Sequence, residues 1–256
     1  MPVLRLLLLG LLAAVLGGAA DPWVSLRPPM RRYGLQEGLP NGTVYAIQRD
    51  RVGRLWVATQ DGVAHYDGRT WTPVNLPSSS TTRFVRTLVE TPDGSWWFGT
   101  ETDGLWRLKQ GIWSNHSLKK DLPSDRVNTL LVVQDGPSWT LMVGTGGGGI
   151  ATYREGTWSW EPSDAPAGRA WIWKFNWLPP MQGHGPRLAA AAKEGVFVLE
   201  EGRWVPFVDL PGLVGIDVND LLAVPEPGGG HRIWASVWNL GLMVWNGTRW
   251  ETHTPA

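Results

Sequence analysis

From residue 38 onward, short apolar runs alternate with turns in a pattern that repeats five times. The runs lie at 44–50, 55–59 and 63–67. They recur at 85–91, 96–100 and 105–109, at 127–133, 141–145 and 150–154, at 172–178, 188–192 and 196–200, and at 218–224, 233–237 and 242–246. Each third run leads into a glycine followed two or three residues later by tryptophan, at Trp71, Trp113, Trp158, Trp204 and Trp250. A fourth run begins near each of these tryptophans. Runs this short, bounded by Gly, Pro, Asp and Asn, read as strands, because a helix needs ten or more residues at a 3.6 period.

Four strands in a period of about 45 residues make one propeller blade. The pattern therefore predicts an all-β chain of five four-stranded blades, at 38–76, 77–121, 122–166, 167–212 and 213–256. A lone four-stranded sheet cannot bury both faces, whereas stacked blades cover one another. The five repeated tryptophans are expected to pack between blades, and so are Trp56, Trp97 and Trp234, which share a strand position.

Composition agrees with this and narrows the function. Gly 32, Pro 20 and Trp 18 fit many turns and half-buried strands. Lys+Arg and Asp+Glu are 23 each, so no basic footprint for nucleic acid exists. Cysteine is absent, which removes disulfides, thiolate metal sites and cysteine nucleophiles. Residues 1–20 combine Arg5, an apolar run at 6–16 and Gly18-Ala19-Ala20, the layout of a secretory signal peptide. A periplasmic or secreted location is expected, with a membrane involved only if that leader is retained or the chain is part of a membrane-bound protein.

The first unit reads Gly38-Leu39-Pro40, Val44, Ile47, Asp50, Gly53, Leu55-Trp56-Val57-Ala58-Thr59, Gly62 and Tyr66-Asp67-Gly68. The second keeps Asp93-Gly94, Trp96-Trp97-Phe98-Gly99-Thr100 and Gly104-Leu105-Trp106, and the third keeps Leu122-Pro123-Ser124 and Val143-Gly144-Thr145. This resembles the two-component regulator propeller repeat. The resemblance implies the extracytoplasmic sensor part of a signalling protein whose membrane helix and kinase or cyclase follow the propeller. The chain as given reaches Ala256 without such a segment, so signalling within this chain is not expected.

Residues 31–37 resemble the fourth strand of a preceding blade, yet 249–254 already begins a fourth strand for unit five. Two segments compete for one place. The expectation is a piece of a larger ring, the alternative a closed five-bladed ring with 31–37 as an extra edge strand.

Unit four alone carries Trp171, Trp173, Phe175 and Trp177 on alternate positions, which period-2 counting places on one strand face. These aromatics either pack against a neighbouring blade or form a stacking platform for sugar rings or another flat ligand, with Trp171, Trp173 and Trp177 as the contact residues. Gly146 to Gly149 lacks the following helix and lysine of a phosphate loop and reads as a flexible turn. The five histidines are scattered, no metal or cofactor site is implied, and no carboxylate pair has catalytic spacing. The leading reading is a sensing propeller for a small-molecule, glycan or protein ligand. The alternative is a secreted carbohydrate- or protein-binding module independent of signalling. Catalysis by carboxylates at a channel mouth is the third reading and finds no support in the residues.

Overall fold

The computed structural model describes residues 30–253 except 119, 182, 183 and 228, so the expected leader at 1–20 lies outside the described residues. Residues 1–33 and 34–256 separate into two compact units. The described part of the first, 30–33, has no regular structure.

The second unit is all-β apart from one short turn, with five four-stranded antiparallel sheets arranged in a ring as a five-bladed propeller. Blade 1 contains β1 (Val44–Arg49), β2 (Leu55–Thr59), β3 (Gly62–Tyr66) and β4 (Trp71–Val74). Blade 2 contains β5 (Val85–Glu90), β6 (Trp96–Thr100), β7 (Leu105–Lys109) and β8 (Ile112–His116). Blade 3 contains β9 (Val127–Asp135), β10 (Ser138–Thr145), β11 (Ile150–Arg154) and β12 (Thr157–Trp160). Blade 4 contains β13 (Ile172–Leu178), β14 (Arg187–Ala192), β15 (Gly195–Glu200) and β16 (Arg203–Pro206). Blade 5 contains β17 (Val218–Pro225), β18 (His231–Val237), β19 (Gly241–Trp245) and β20 (Trp250–His253). The strands of every sheet run in chain order, and the first strands pack on one another: β1 on β5, β5 on β9, β9 on β13 and β13 on β17. The last place in the ring, between β17 and β1, carries no comparable packing among the described residues.

The turns explain the repeated glycines. In blades 2, 3 and 4 the last hairpin uses Gln110-Gly111, Glu155-Gly156 and Glu201-Gly202, all with positive φ. That is the two-residue turn whose twist matches the flanking strands. Between β1 and β2, Asp50 accepts hydrogen bonds from the Val52 and Arg54 amides, from Arg54 Nε at 2.6 Å and from Trp56 Nε1 at 3.0 Å. Burial pushes the Asp50 pKa up, but these bonds outweigh it and hold the carboxyl below its ordinary value. In blade 2 Thr91 Oγ1 takes the same role for Trp97 Nε1 at 3.1 Å.

Residues 31–37 do not form the expected strand. Glu37 Oε2 accepts the Gly34 amide at 2.6 Å, which closes Leu35–Glu37 into a single 3-10 turn, and Gly38 at φ 100° ends it. The chain then buries Leu39 instead of extending along a sheet.

Four cores fill the four blade junctions. Trp56, Trp97 and Trp204 are buried in them, and Trp113, Trp158 and Trp250 pack partly buried against them. Each outer-strand tryptophan of blades 2 to 5 leans on the preceding blade. No blade precedes Trp71 among the described residues, and it packs on Tyr66, with ring centroids 5.0 Å apart. Trp234 is half-buried on the outer face of blade 5.

His116 belongs to the blade 2–3 core, with Trp97, Tyr153 and Trp158 rings 5.2–6.4 Å away. Burial lowers its pKa; Asp121, 2.7 Å from Nδ1, opposes the shift, while Arg107 and Lys120 reinforce it. The folded state therefore binds a proton less readily than the unfolded chain, whose histidine pKa is about 6.5. This contribution is present above that pH and is lost as pH falls through the lower folded value. Urea midpoints of the wild type should drop between pH 7 and pH 5, and His116→Gln should flatten that slope. An unchanged slope in the variant would assign the loss to other groups.

Candidate functional site

One irregularity recurs in every blade and builds the site. The register between the first and second strands slips by one residue, passing from Val44↔Thr59 to Ala46↔Ala58 and from Val85↔Thr100 to Thr87↔Gly99. The same slip separates Val127↔Thr145 from Thr129↔Gly144, Ile172↔Ala192 from Lys174↔Ala191, and Val218↔Val237 from Asp220↔Ser236. The residue skipped is a β-bulge, unpaired and re-aimed by the local twist. The five bulged residues are Tyr45, Arg86, Asn128, Trp173 and Asn219. The geometry repeats while the side chain changes, which is the opposite of the core positions.

Two further positions accompany each bulge. The carbonyls of Thr43, Phe84, Arg126, Trp171 and Asp217, just before each first strand, accept the amides of Gln60, Glu101, Gly146, Lys193 and Trp238 at 2.8–3.2 Å. These bonds fix the turn after each second strand beside the bulge of its own blade.

The side chains at these positions touch in sequence round the blades. Tyr45 meets Phe84 at 4.7 Å between ring centroids, and the Arg86 guanidinium lies 5.0 Å from the Phe84 ring. Arg86 pairs with Glu101, whose other oxygen takes Arg126 Nη1 at 2.7 Å. Burial and the like charge of Arg86 lower the Arg126 pKa, and Glu101 opposes that shift. Arg126 stacks 4.9 Å from the Trp171 ring, and Trp171 meets Trp173 at 5.6 Å. Trp173 Nε1 then donates to Asp217 Oδ1 of blade 5 at 2.7 Å. Glu194 Oε2 holds the Trp171 amide at 3.0 Å, and Trp171 Nε1 is buried with no acceptor among the described residues. Exposed Trp238 sits at the same end, its amide on the Asp217 carbonyl.

The expected four-aromatic face does not exist, because the bulge at Trp173 breaks the alternation. Trp171 and Trp173 come together at the site. Phe175 turns into the blade 3–4 core, 6% exposed and 5.9 Å from Trp204. Trp177 is exposed four residues beyond Trp173, about 13 Å along the strand. The glycine run expected as a flexible turn is closely packed. A Cβ at Gly146 would meet Arg126 Cδ at 2.6 Å, and one at Gly148 would meet the Pro123 backbone at 2.8 Å. The missing side chain at Gly146 leaves room for Arg126, whose guanidinium carbon lies 4.9 Å from the Trp171 ring centroid. Strand counting missed Arg86, Glu101, Arg126 and Asp217 and could not place the non-repeated Trp238; aligning the five repeats by register was the signal that would have found them.

The three carboxylates here are each engaged: Glu101 by two arginines, Glu194 by a backbone amide and Asp217 by an indole. No group of three metal-ligating side chains occurs among the described residues, and no helix there is long and apolar enough to cross a membrane.

The fold and its varied ring of bulges define a repeat propeller, and part of its first blade matches a known repeat. Residues 38–61 match the family model described as two component regulator propeller. The extracellular domain described as that of the hybrid two component system BT3049 from B. thetaiotaomicron superposes with a TM-score of 0.59 at 18% identity over 88% of this chain. That of the one component system BT4673 from the same organism gives 0.59 at 19% identity over 84%. The chain spans 36% and 29% of the lengths of these two. YCF48, solved bound to D1 peptide, gives 0.53 at 16% identity, covering 82% of this chain and 67% of that one. No curated protein matches the chain.

Proposed function

We propose that this chain is an exported ligand-binding propeller of the sensor type, binding rather than transforming a molecule at the end formed by the bulged residues. The observation that carries this reading is the repeated bulge with non-repeated side chains. A scaffold needs the same residue in each blade, and a recognition surface needs different ones. The two-component regulator repeat at 38–61 and the extracellular sensor domains of like fold support a sensing role.

The chemistry favours a ring-shaped, hydroxyl-bearing ligand. Trp171 and Trp173 offer aromatic faces, while Arg126, Glu101 and Asp217 offer charged hydrogen-bond partners beside them. A saccharide presents that combination, with an apolar ring face and equatorial hydroxyls.

Glycan-array screening followed by titration calorimetry tests this. Trp171→Ala and Trp173→Ala should each weaken the ligand found by roughly tenfold or more, the scale of a tryptophan hot spot. Trp177→Ala, outside the site, should leave affinity unchanged. Equal losses in all three variants, or none, would remove the site from this place. The second reading is a secreted protein-binding module, a use illustrated for this fold by the peptide-bound propeller. Retention of peptides rather than glycans by the same tryptophans would favour it.

A further inference from the structure

Among the described residues no blade packs on the far face of blade 5, which is built like the inner junctions. Its groove of about 420 Å³ is lined by Leu222, Val224, Trp234 and Leu242, with Asp220 and Ser236 as its polar members. By register Leu242 is the counterpart of Val63, Leu105, Ile150 and Val196. Those four are at most 4% exposed, each covered by the next blade, whereas Leu242 is 39% exposed. Blade 1 presents the opposite half of the same junction. Ile47 corresponds to Leu88, Phe175 and Leu221, all buried against a preceding blade, yet Ile47 is 65% exposed. Val44 and Leu55 on the same face are also exposed, where Val85 and Trp96 are buried.

The described residues thus contain four worked examples of one interface and one uncovered copy of each half. We propose that two copies of this chain associate head to tail, the Leu242 face of one packing on the Ile47 face of the other. The occupant is argued from complementarity. In each inner junction the face now open on blade 5 meets the face now open on blade 1. Such an interface is heterologous, so each copy keeps one open half after pairing. The site arc would continue through it: Tyr45 touches Phe84, Asn128 bonds the Ile172 carbonyl and Trp173 bonds Asp217, each a bulge reaching the next blade. Asn219 would meet Thr43 of the second copy in the same way.

Sedimentation velocity on the purified protein across micromolar concentrations tests this. The wild type should exceed monomer mass and grow with concentration. Ile47→Glu and Leu242→Glu should each be monomeric alone, and their equimolar mixture should form a dimer and nothing larger, since each keeps one intact face. Both positions are solvent-exposed, so far-UV circular dichroism should match the wild type. If a variant fails to fold, the wild-type concentration series still decides. A wild type that stays monomeric, through closure on itself or cover by another chain, overturns the proposal. So does a mixture that stays monomeric, or a single variant that associates like the wild type.

Discussion

Trp97→Ala lowers the stability of the folded chain by about 3–5 kcal/mol, the range for emptying a fully packed tryptophan site. Trp97 is 0% exposed in the blade 2–3 core. Its indole N–H bonds Thr91 Oγ1 at 3.1 Å, the Arg107 guanidinium covers one face at 4.8 Å, and Tyr153 lies 5.1 Å away. Alanine leaves a cavity and takes one partner each from the Thr91 hydroxyl, which keeps Asp93 and Ser95, and from Arg107, which keeps the Tyr153 ring at 5.7 Å. For a chain of this length the loss corresponds to roughly 6–20 °C in melting temperature. The molecule supplies its own control. Trp234 holds the same register position, opposite Leu222 as Trp97 is opposite Val89, but no blade covers it among the described residues. Trp234→Ala should cost about 1 kcal/mol, the centre of the range for point substitutions, because the half-buried indole meets the His253 ring edge-on at 5.3 Å. Urea unfolding of both variants checks the pair. Equal losses would mean that cover by the next blade is not what gives Trp97 its weight.

That contrast also marks what the amino-acid order made legible. The blades were legible because their signals are local: glycine turns, short apolar runs and a tryptophan at one place in each period. The bulge was not. It is a slip in pairing between two strands, and the residues that occupy it, Tyr45, Arg86, Asn128, Trp173 and Asn219, share no chemistry. Counting by twos through Trp173 therefore put Trp171 to Trp177 on one face, when the slip sends Phe175 into the core. Segment 31–37 misled for a related reason. Tyr33-Gly34-Leu35 looks like a strand entry, but a single side-chain bond from Glu37 to the Gly34 amide turns it aside. Half of the aromatic site was visible as Trp171 and Trp173. The charged half was not, because Glu101 joins Arg86 to Arg126 across a blade boundary.

The second large effect comes from the smallest side chain in the core. Ala58, Gly99, Gly144, Ala191 and Ser236 share one position on the second strand, facing the next blade. A Cβ at Gly144 would lie 2.5 Å from Thr129 Cγ2 and 2.6 Å from Ile172 Cγ2, closer than carbon atoms can pack. Gly144→Val must therefore push β13 away from β10, and we expect a loss of about 1–3 kcal/mol, the usual range for overpacking a core. Displacing β13 also disturbs the site, because Trp173 lies within β13, Trp171 immediately precedes it, and Asn128 bonds the Ile172 carbonyl at 2.9 Å. Ligand affinity should fall together with stability in this variant, although Gly144 itself belongs to the core. Ser236→Val places the same side chain where no blade follows among the described residues, and should change stability by no more than about 0.5 kcal/mol. Thermal unfolding and ligand titration on the two variants separate the cases. If Gly144→Val lost stability but kept full affinity, the site would rest on its own turn contacts, and the spacing between blades 3 and 4 would not set it.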